Sequence, residues 1–206
     1  MVGISGTSLQ RVEVAKLRPT QMTVGYREVA RKRDTWHEQR KKFGEKYIEH
    51  HMIPAVLGPK KRFYIVDHHH LARALHEEGV KDVLVVLLAQ LDRLEKYPFW
   101  VYLDNHSWVH PFDANGRRRD YDDIPQSVAD MPDDPYRSLA GEMRRAGGFA
   151  KDATPFTEFT WGDALRPRIK RKLIERSFVR AMEQAMKFAR SQDADYLPGW
   201  CGPSSD

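Results

Sequence analysis

The densest run of reactive side chains in this 206-residue sequence is an aspartate followed by three histidines. Asp67, His68, His69 and His70 come after Arg-Phe-Tyr-Ile-Val, whose β-branched and aromatic residues predict a strand. They precede Leu-Ala-Arg-Ala-Leu-His-Glu-Glu-Gly, where Leu71, Ala74 and Leu75 share one face of a predicted helix. The four residues therefore sit at a strand-to-helix junction. The unpaired backbone N–H groups and the dipole of a helix N-terminus attract an anion at such a place. Imidazole titrates near neutral pH, which suits His69 or His70 to general acid–base work or to phosphate binding. Asp67 is placed to cap the helix, to orient a histidine or to hold a metal. Successive helical residues point about 100° apart, so at most two of the histidines line one cleft.

A second polar and aromatic cluster is Asp104-Asn105-His106-Ser107-Trp108-Val109-His110. Asp104 and His106 alternate, so on a strand they share a face. With His69 they would complete an Asp/His set suited to zinc, manganese or iron. The single cysteine, Cys201, excludes intramolecular disulfides and cysteine-rich zinc sites. Glu28, in a predicted helix over 23–42, would act as a base if that helix faces the junction. Residues 166–190 hold nine Lys or Arg against Glu175 and Glu183, a basic stretch that could contact the phosphates of a nucleic acid. Nothing here matches a Walker loop or a G-x-G-x-x-G turn.

The elements that must position these groups follow from composition and punctuation. Residues 1–8 read as a loose leader, and 10–17 as a short strand ended by Arg18-Pro19-Thr20. Residues 53–57 read as an edge strand, because Pro54 lacks a ladder donor. Gly58-Pro59-Lys60-Lys61 is a turn. The junction strand over 62–66, the helix over 68–78 closed by Gly79, and a buried strand over 81–88 make a compact α/β unit. Further on, Asp133-Asp134-Pro135 opens a helix that Gly147-Gly148 closes. Residues 156–165 read as helical. Ile169, Leu173, Phe178, Met182, Met186 and Ala189 predict one amphipathic helix over 169–189.

The segment Tyr-Ile-Val-Asp-His-His-His-Leu-Ala-Arg-Ala-Leu resembles the Y-x-I-x-D-G-H-H-R segment of the ParB/sulfiredoxin superfamily. Upstream, Val-Glu-Val-Ala-Lys-Leu-Arg-Pro-Thr-Gln resembles that domain's opening strand and its L-x-P-x-Q motif. The superfamily resemblance covers about residues 10–95. Blocks such as His-Pro-Phe-Asp-Ala-Asn-Gly and Tyr-Leu-Pro-Gly-Trp-Cys-Gly extend it over most of the chain, to the branch labelled ParB-like nuclease. The resemblance implies an α+β fold, a small mixed sheet with surrounding helices and a helical C-terminal extension. It also implies a phosphate or nucleotide pocket at the motif, which relatives use to hydrolyse CTP, to phosphorylate a sulfinic acid or to phosphorylate serine.

Residue by residue, Asp67, His69 and His70 fit the motif's aspartate and two histidines. His68 replaces its glycine and Leu71 its arginine, the usual bidentate phosphate clamp. The sulfiredoxin cysteine has no counterpart. Gln21 matches the opening glutamine and joins the candidate ligand contacts with His68. Replacement cations for the clamp are Lys60, Lys61 or an arginine of the C-terminal part, with Arg117 or Arg118 in a Gly-Arg-Arg-Arg turn the preferred source. Arg73 joins the candidate ligand contacts, although two residues on along a helix it faces differently and substitutes poorly for the clamp. Sulfinic acid reduction is thus not expected. The expectation is a phosphoryl-transfer or phosphate-ester-hydrolysing protein with Asp67, His69, His70 and Glu28 as its catalytic groups. Its ligand would be a nucleotide or another phosphorylated small molecule, with a divalent metal as a further candidate. Alternatives are a nucleic-acid-binding module and a metal-dependent nuclease.

Composition sets the outer bounds. Hydrophobic residues are 41% and charged residues 31%, enough apolar side chain for a core. The net charge is +5, the pI about 9.3 and the mean hydropathy −0.66. The longest apolar run, residues 83–89, is far short of the roughly 20 residues that span a bilayer. Without a secretory signal pattern, the expected location is the cytoplasm and no membrane partner is expected. The expected organisation is a domain over 9–111 with an extension over 112–206 packed on it as one compact unit.

Overall fold

The computed structural model describes residues 8–43 and 51–203. The expected leader lies almost wholly outside them. The chain divides into two compact units, Met1–Pro132 and Asp133–Asp206.

The first unit is built on a five-stranded mixed sheet. In chain order the strands are β1 (Ser8–Glu13), β2 (Leu17–Pro19), β3 (Ile53–Gly58), β4 (Arg62–Ile65) and β5 (Asp82–Gln90). Their spatial order is β1-β5-β3-β4-β2. β1 runs antiparallel to β5 and β3 antiparallel to β4, while β3 is parallel to β5 and β2 parallel to β4. The single strand expected over 10–17 is therefore two strands, separated by a 3-10 turn at Val14–Lys16. β3 is the central strand and not an edge. Pro54 is tolerated because it lies second in the strand, where its carbonyl still accepts the Val66 N–H at 3.0 Å.

Side-chain alternation gives each face of the sheet its own cover. On one face Ile53, Ala55, Ile65, Val83 and Val85 pack with Val29 and Trp36 of α1 (Tyr26–Phe43) and Leu71, Ala74 and Leu75 of α2 (His69–Glu77). On the other, Val56, Tyr64 and Val66 meet Phe99, Trp100 and Leu103 of α3 (Lys96–Asn105). The pairing of β3 with β5 shifts register between Ala55 and Val56, leaving Leu88 of β5 unopposed. Gly79, with φ +66°, ends α2 as its residue type suggests.

The second unit is helical: α4 (Pro135–Arg145), α5 (Thr157–Leu165), α6 (Arg171–Arg176) and α7 (Phe178–Ala189). Asp134 caps α4, accepting the N–H groups of Tyr136 and Arg137, with Pro135 in the first turn. The single amphipathic helix expected over 169–189 is broken at Ser177, whose φ of −149° is extended. The step from Leu173 to Phe178 is five residues, which rotates the apolar stripe out of phase and marks the break. No described helix is long and apolar enough to cross a membrane.

Candidate functional site

β2 and β4 run in the same direction, so residue 20 and residue 66 leave the sheet side by side. Asp67 and His68 are exposed, and His69 and His70 are buried. His68, with φ 61° and ψ 27°, is the N-cap of α2 and makes no side-chain cap. The cap expected of Asp67 is thus displaced by one residue. The Asp67 carboxylate accepts the His68 N–H at 2.6 Å, while the His68 carbonyl accepts the Ala72 N–H at 2.9 Å. The first-turn N–H groups of α2 have no intrahelical acceptor by construction.

The two buried imidazoles hold the loop that leads from β2 into α1. The Thr20 N–H donates to His69 Nε2 at 3.1 Å, and the Gly25 N–H donates to His70 Nε2 at 3.0 Å. The Thr20 hydroxyl donates to the Ile65 carbonyl at 2.8 Å. An accepting ring nitrogen carries no proton, so both imidazoles are neutral in this arrangement. Burial is the largest cause holding His69 well below the usual histidine range; His70, His68 and His110 push the same way, against a backbone hydrogen bond with Ile65. Glu28 reaches within 3.9 Å of His70 Nε2 and is mostly buried. His69 and His70 thereby act on backbone donors of residues 20–25, where the sequence suggested catalytic contacts.

Gln21 is buried, and its side-chain amide donates to the Thr23 carbonyl at 2.8 Å. The same loop is stitched to residue 110: the His110 N–H donates to Thr20 and the His110 carbonyl accepts from Met22, at 2.9 and 3.2 Å. The Thr23 hydroxyl is buried with no hydrogen-bond partner among the described residues. Thr20, Thr23 and Gly25 were not legible as site residues, because isolated polar residues in a loop carry no period; His110 stood in the second polar cluster, but not as a partner of this loop. The Pro19 that ends β2 was their nearest signal.

Several expected contributors lie elsewhere. Leu71, at the family's arginine position, is buried in the core at 3% exposure. Arg73 donates to the carbonyls of Val128, Ala129 and Met131, pairs with Glu77 at 2.7 Å and covers the Tyr26 ring. It fastens residues 128–131 rather than facing the junction. Lys61 stands before β4 and Asp67 after it, so the length of that strand separates them. Arg118 is held by Asp104 at 2.5 Å and stacks on Tyr121. Arg117 is exposed, its backbone N–H bonded to Asp113.

The metal set is not assembled. Asp104 lies in the last turn of α3 and His106 just beyond it, so they do not alternate on a strand. Asp104 is taken by Arg118 and Tyr121, and His106 stacks on Tyr102 at 4.0 Å. Among the described residues no group of three His, Cys, Asp or Glu side chains could hold a metal ion, so His69, Asp104 and His106 do not fit one.

In the second unit the basic stretch is partly spent on its own fold. Arg166 pairs with buried Asp134 at 2.5 Å and with Asp163 at 2.7 Å. Arg168 covers the Phe188 ring and Arg171 pairs with Glu175. Lys170, Lys172, Arg176, Arg180, Lys187 and Arg190 are exposed.

A mixed sheet with a D-H-H junction at the open end of two parallel strands defines an α+β protein of the ParB-like kind. The family described as "Putative ParB-like nuclease" matches residues 10–167, and the chain belongs to it. Among solved structures, the chain is similar to the crystal structure of protein Atu1540 from Agrobacterium tumefaciens. The identity is 49%, the alignment covers 98% of this chain and 100% of that one, and the TM-score is 0.90. No curated protein matches.

Proposed function

We propose that this chain binds a phosphorylated small molecule, such as a nucleotide, at the β4–α2 junction, and that its chemistry is phosphoryl transfer or phosphate-ester hydrolysis. The observation that carries this reading is the start of α2. Its N-cap offers no side-chain cap, and the residues before it, Asp67 and His68, are at the surface. A helix N-terminus of this kind favours phosphate through its N–H groups and dipole.

His69 and His70 serve the site as positioning residues, since they fix the loop over 20–25 beside it. His68 and Asp67 are left as the side chains able to touch the ligand or move a proton. With Leu71 in place of an arginine, affinity rests on backbone donors and is modest.

A thermal-shift screen with nucleotides, inorganic phosphate, serine and divalent cations, on wild type and Asp67→Ala, tests the reading. Asp67 is exposed, so the variant folds. A ligand at ten times its Kd adds about 1.4 kcal/mol of stability, a readable shift. A phosphate ligand that shifts wild type and loses its effect in the variant supports the assignment. No shift from any phosphate ligand overturns it.

A further inference from the structure

Two neighbouring imidazoles, His69 and His70, hold the loop over residues 20–25 by the same means. Each offers its Nε2 lone pair to a backbone N–H, that of Thr20 at 3.1 Å and that of Gly25 at 3.0 Å. Both residues are buried. A ring nitrogen that takes up a proton becomes a donor and can no longer accept an N–H. The two holds therefore exist only while the imidazoles are neutral, and imidazole is the side chain whose charge changes near neutral pH.

The surroundings decide what a proton does there. The groups acting on His69 are His68, His70, His110 and the Thr20 hydroxyl at 3.4 Å, none of them an anion. His70 differs. The Glu28 carboxylate lies 3.9 Å from its Nε2, the same atom that accepts the Gly25 N–H. Gly25 stands just before α1 and Glu28 is in its first turn, so one ring nitrogen has a donor and an acceptor from the same helix start within reach. The nearest other charges are engaged: Arg73 with Glu77 and the carbonyls of residues 128–131, and Asp67 with the His68 N–H. Two cations in the first turn of α2 would oppose its dipole. The closed loop also leaves the Thr23 hydroxyl without a partner among the described residues, a cost that opening to water recovers.

We propose that His69 and His70 form an acid-released latch between the start of α2 and the loop over 20–25. Neutral, the rings bind the Thr20 and Gly25 N–H groups. Protonated, His70 turns its Nε2–H to the Glu28 carboxylate, and both backbone N–H groups are let go. The loop keeps its bonds to the His110 backbone and the Pro132 carbonyl, so the release parts the loop from α2 and unfolds neither. Any effect on ligand binding at the junction rests on the phosphate site proposed above; the latch itself does not.

The test is amide hydrogen exchange of the ligand-free full chain between about pH 7.5 and 5.5, expressed as protection factors so that the intrinsic pH dependence of exchange drops out. A histidine that cannot take a proton closed and has a pKa of about 6.5 when open makes opening about tenfold more frequent over that range. The Thr20 protection factor therefore falls about tenfold on acidification and that of Gly25 falls with it, while the β5 amides keep theirs. Glutamine accepts an N–H through its side-chain oxygen and does not titrate. His69→Gln with His70→Gln thus holds both factors level with pH, and His70→Gln alone does so for Gly25. Glu28→Gln removes the anion that receives the charged ring and moves the Gly25 loss to lower pH. The latch is overturned if the wild-type factors stay level, or if the β5 amides lose protection alongside them. It is equally overturned if the glutamine variants fall as wild type does, or if Glu28→Gln leaves the Gly25 profile unmoved.

Discussion

His69→Gln separates the role of the buried imidazole from its mere presence. In the folded chain His69 is neutral and accepts the Thr20 N–H at 3.1 Å, and its pKa lies well below the ordinary value of 6.5. A histidine with a lowered folded pKa binds fewer protons folded than unfolded. Its contribution is therefore fully present above about pH 6.5 and declines as pH falls below that, until the folded pKa is reached. The slope approaches about 1.4 kcal/mol per pH unit, which integrates to roughly 1.4 kcal/mol between pH 7.5 and 5.5. Glutamine can accept the same N–H through its carbonyl oxygen and does not titrate. Urea unfolding of both proteins at pH 7.5, 6.5 and 5.5 gives the comparison directly. Wild type should lose roughly 1.4 kcal/mol more than the variant on acidification. Two pH profiles that run parallel would refute the reasoning, since His69 would then titrate alike in the folded and unfolded chains.

Other expectations follow from buried partners. Asp134→Ala removes the α4 cap and one of the two carboxylates on the Arg166 guanidinium, which keeps Asp163, costing about 1–3 kcal/mol in urea unfolding; Asp134→Asn keeps the cap and costs less. Gly58→Ala forces a methyl against the Phe99 and Tyr64 rings and lowers stability by about 1–3 kcal/mol, read as a fall in Tm. Arg73→Ala removes the guanidinium from the carbonyls of Val128, Ala129 and Met131, the last of which keeps the Tyr26 hydroxyl, so hydrogen exchange should accelerate across 128–131 while the β5 amides keep their protection.

How far the sequence could be read depended on the range of the interactions. Junction strand β4, helix α2 and the Asp134 cap were legible because each rests on neighbours within a few residues. The central place of β3 was not, because Pro54 carries an edge signal that only the observed register removes. The end of α3 at Asp104 was likewise mistaken for strand alternation. Within the site, the histidines were visible and their partners were not. His69 and His70 meet Thr20 and Gly25 only because β2 pairs in parallel with β4, a contact more than forty residues distant in sequence. Helical spacing already made Arg73 a poor clamp, but its carbonyl partners, also far along the chain, were not legible.

The central claim is a phosphate ligand at the start of α2, and amide NMR tests it at the atoms concerned. Titrating ¹⁵N-labelled protein with ATP, CTP and inorganic phosphate should move the amide signals of His69, His70 and Leu71, the first-turn N–H groups without an intrahelical acceptor, in a saturable way. The α4–α7 amides should stay still. Unmoved junction amides at millimolar ligand, or saturable shifts confined to other parts of the chain, would contradict the account.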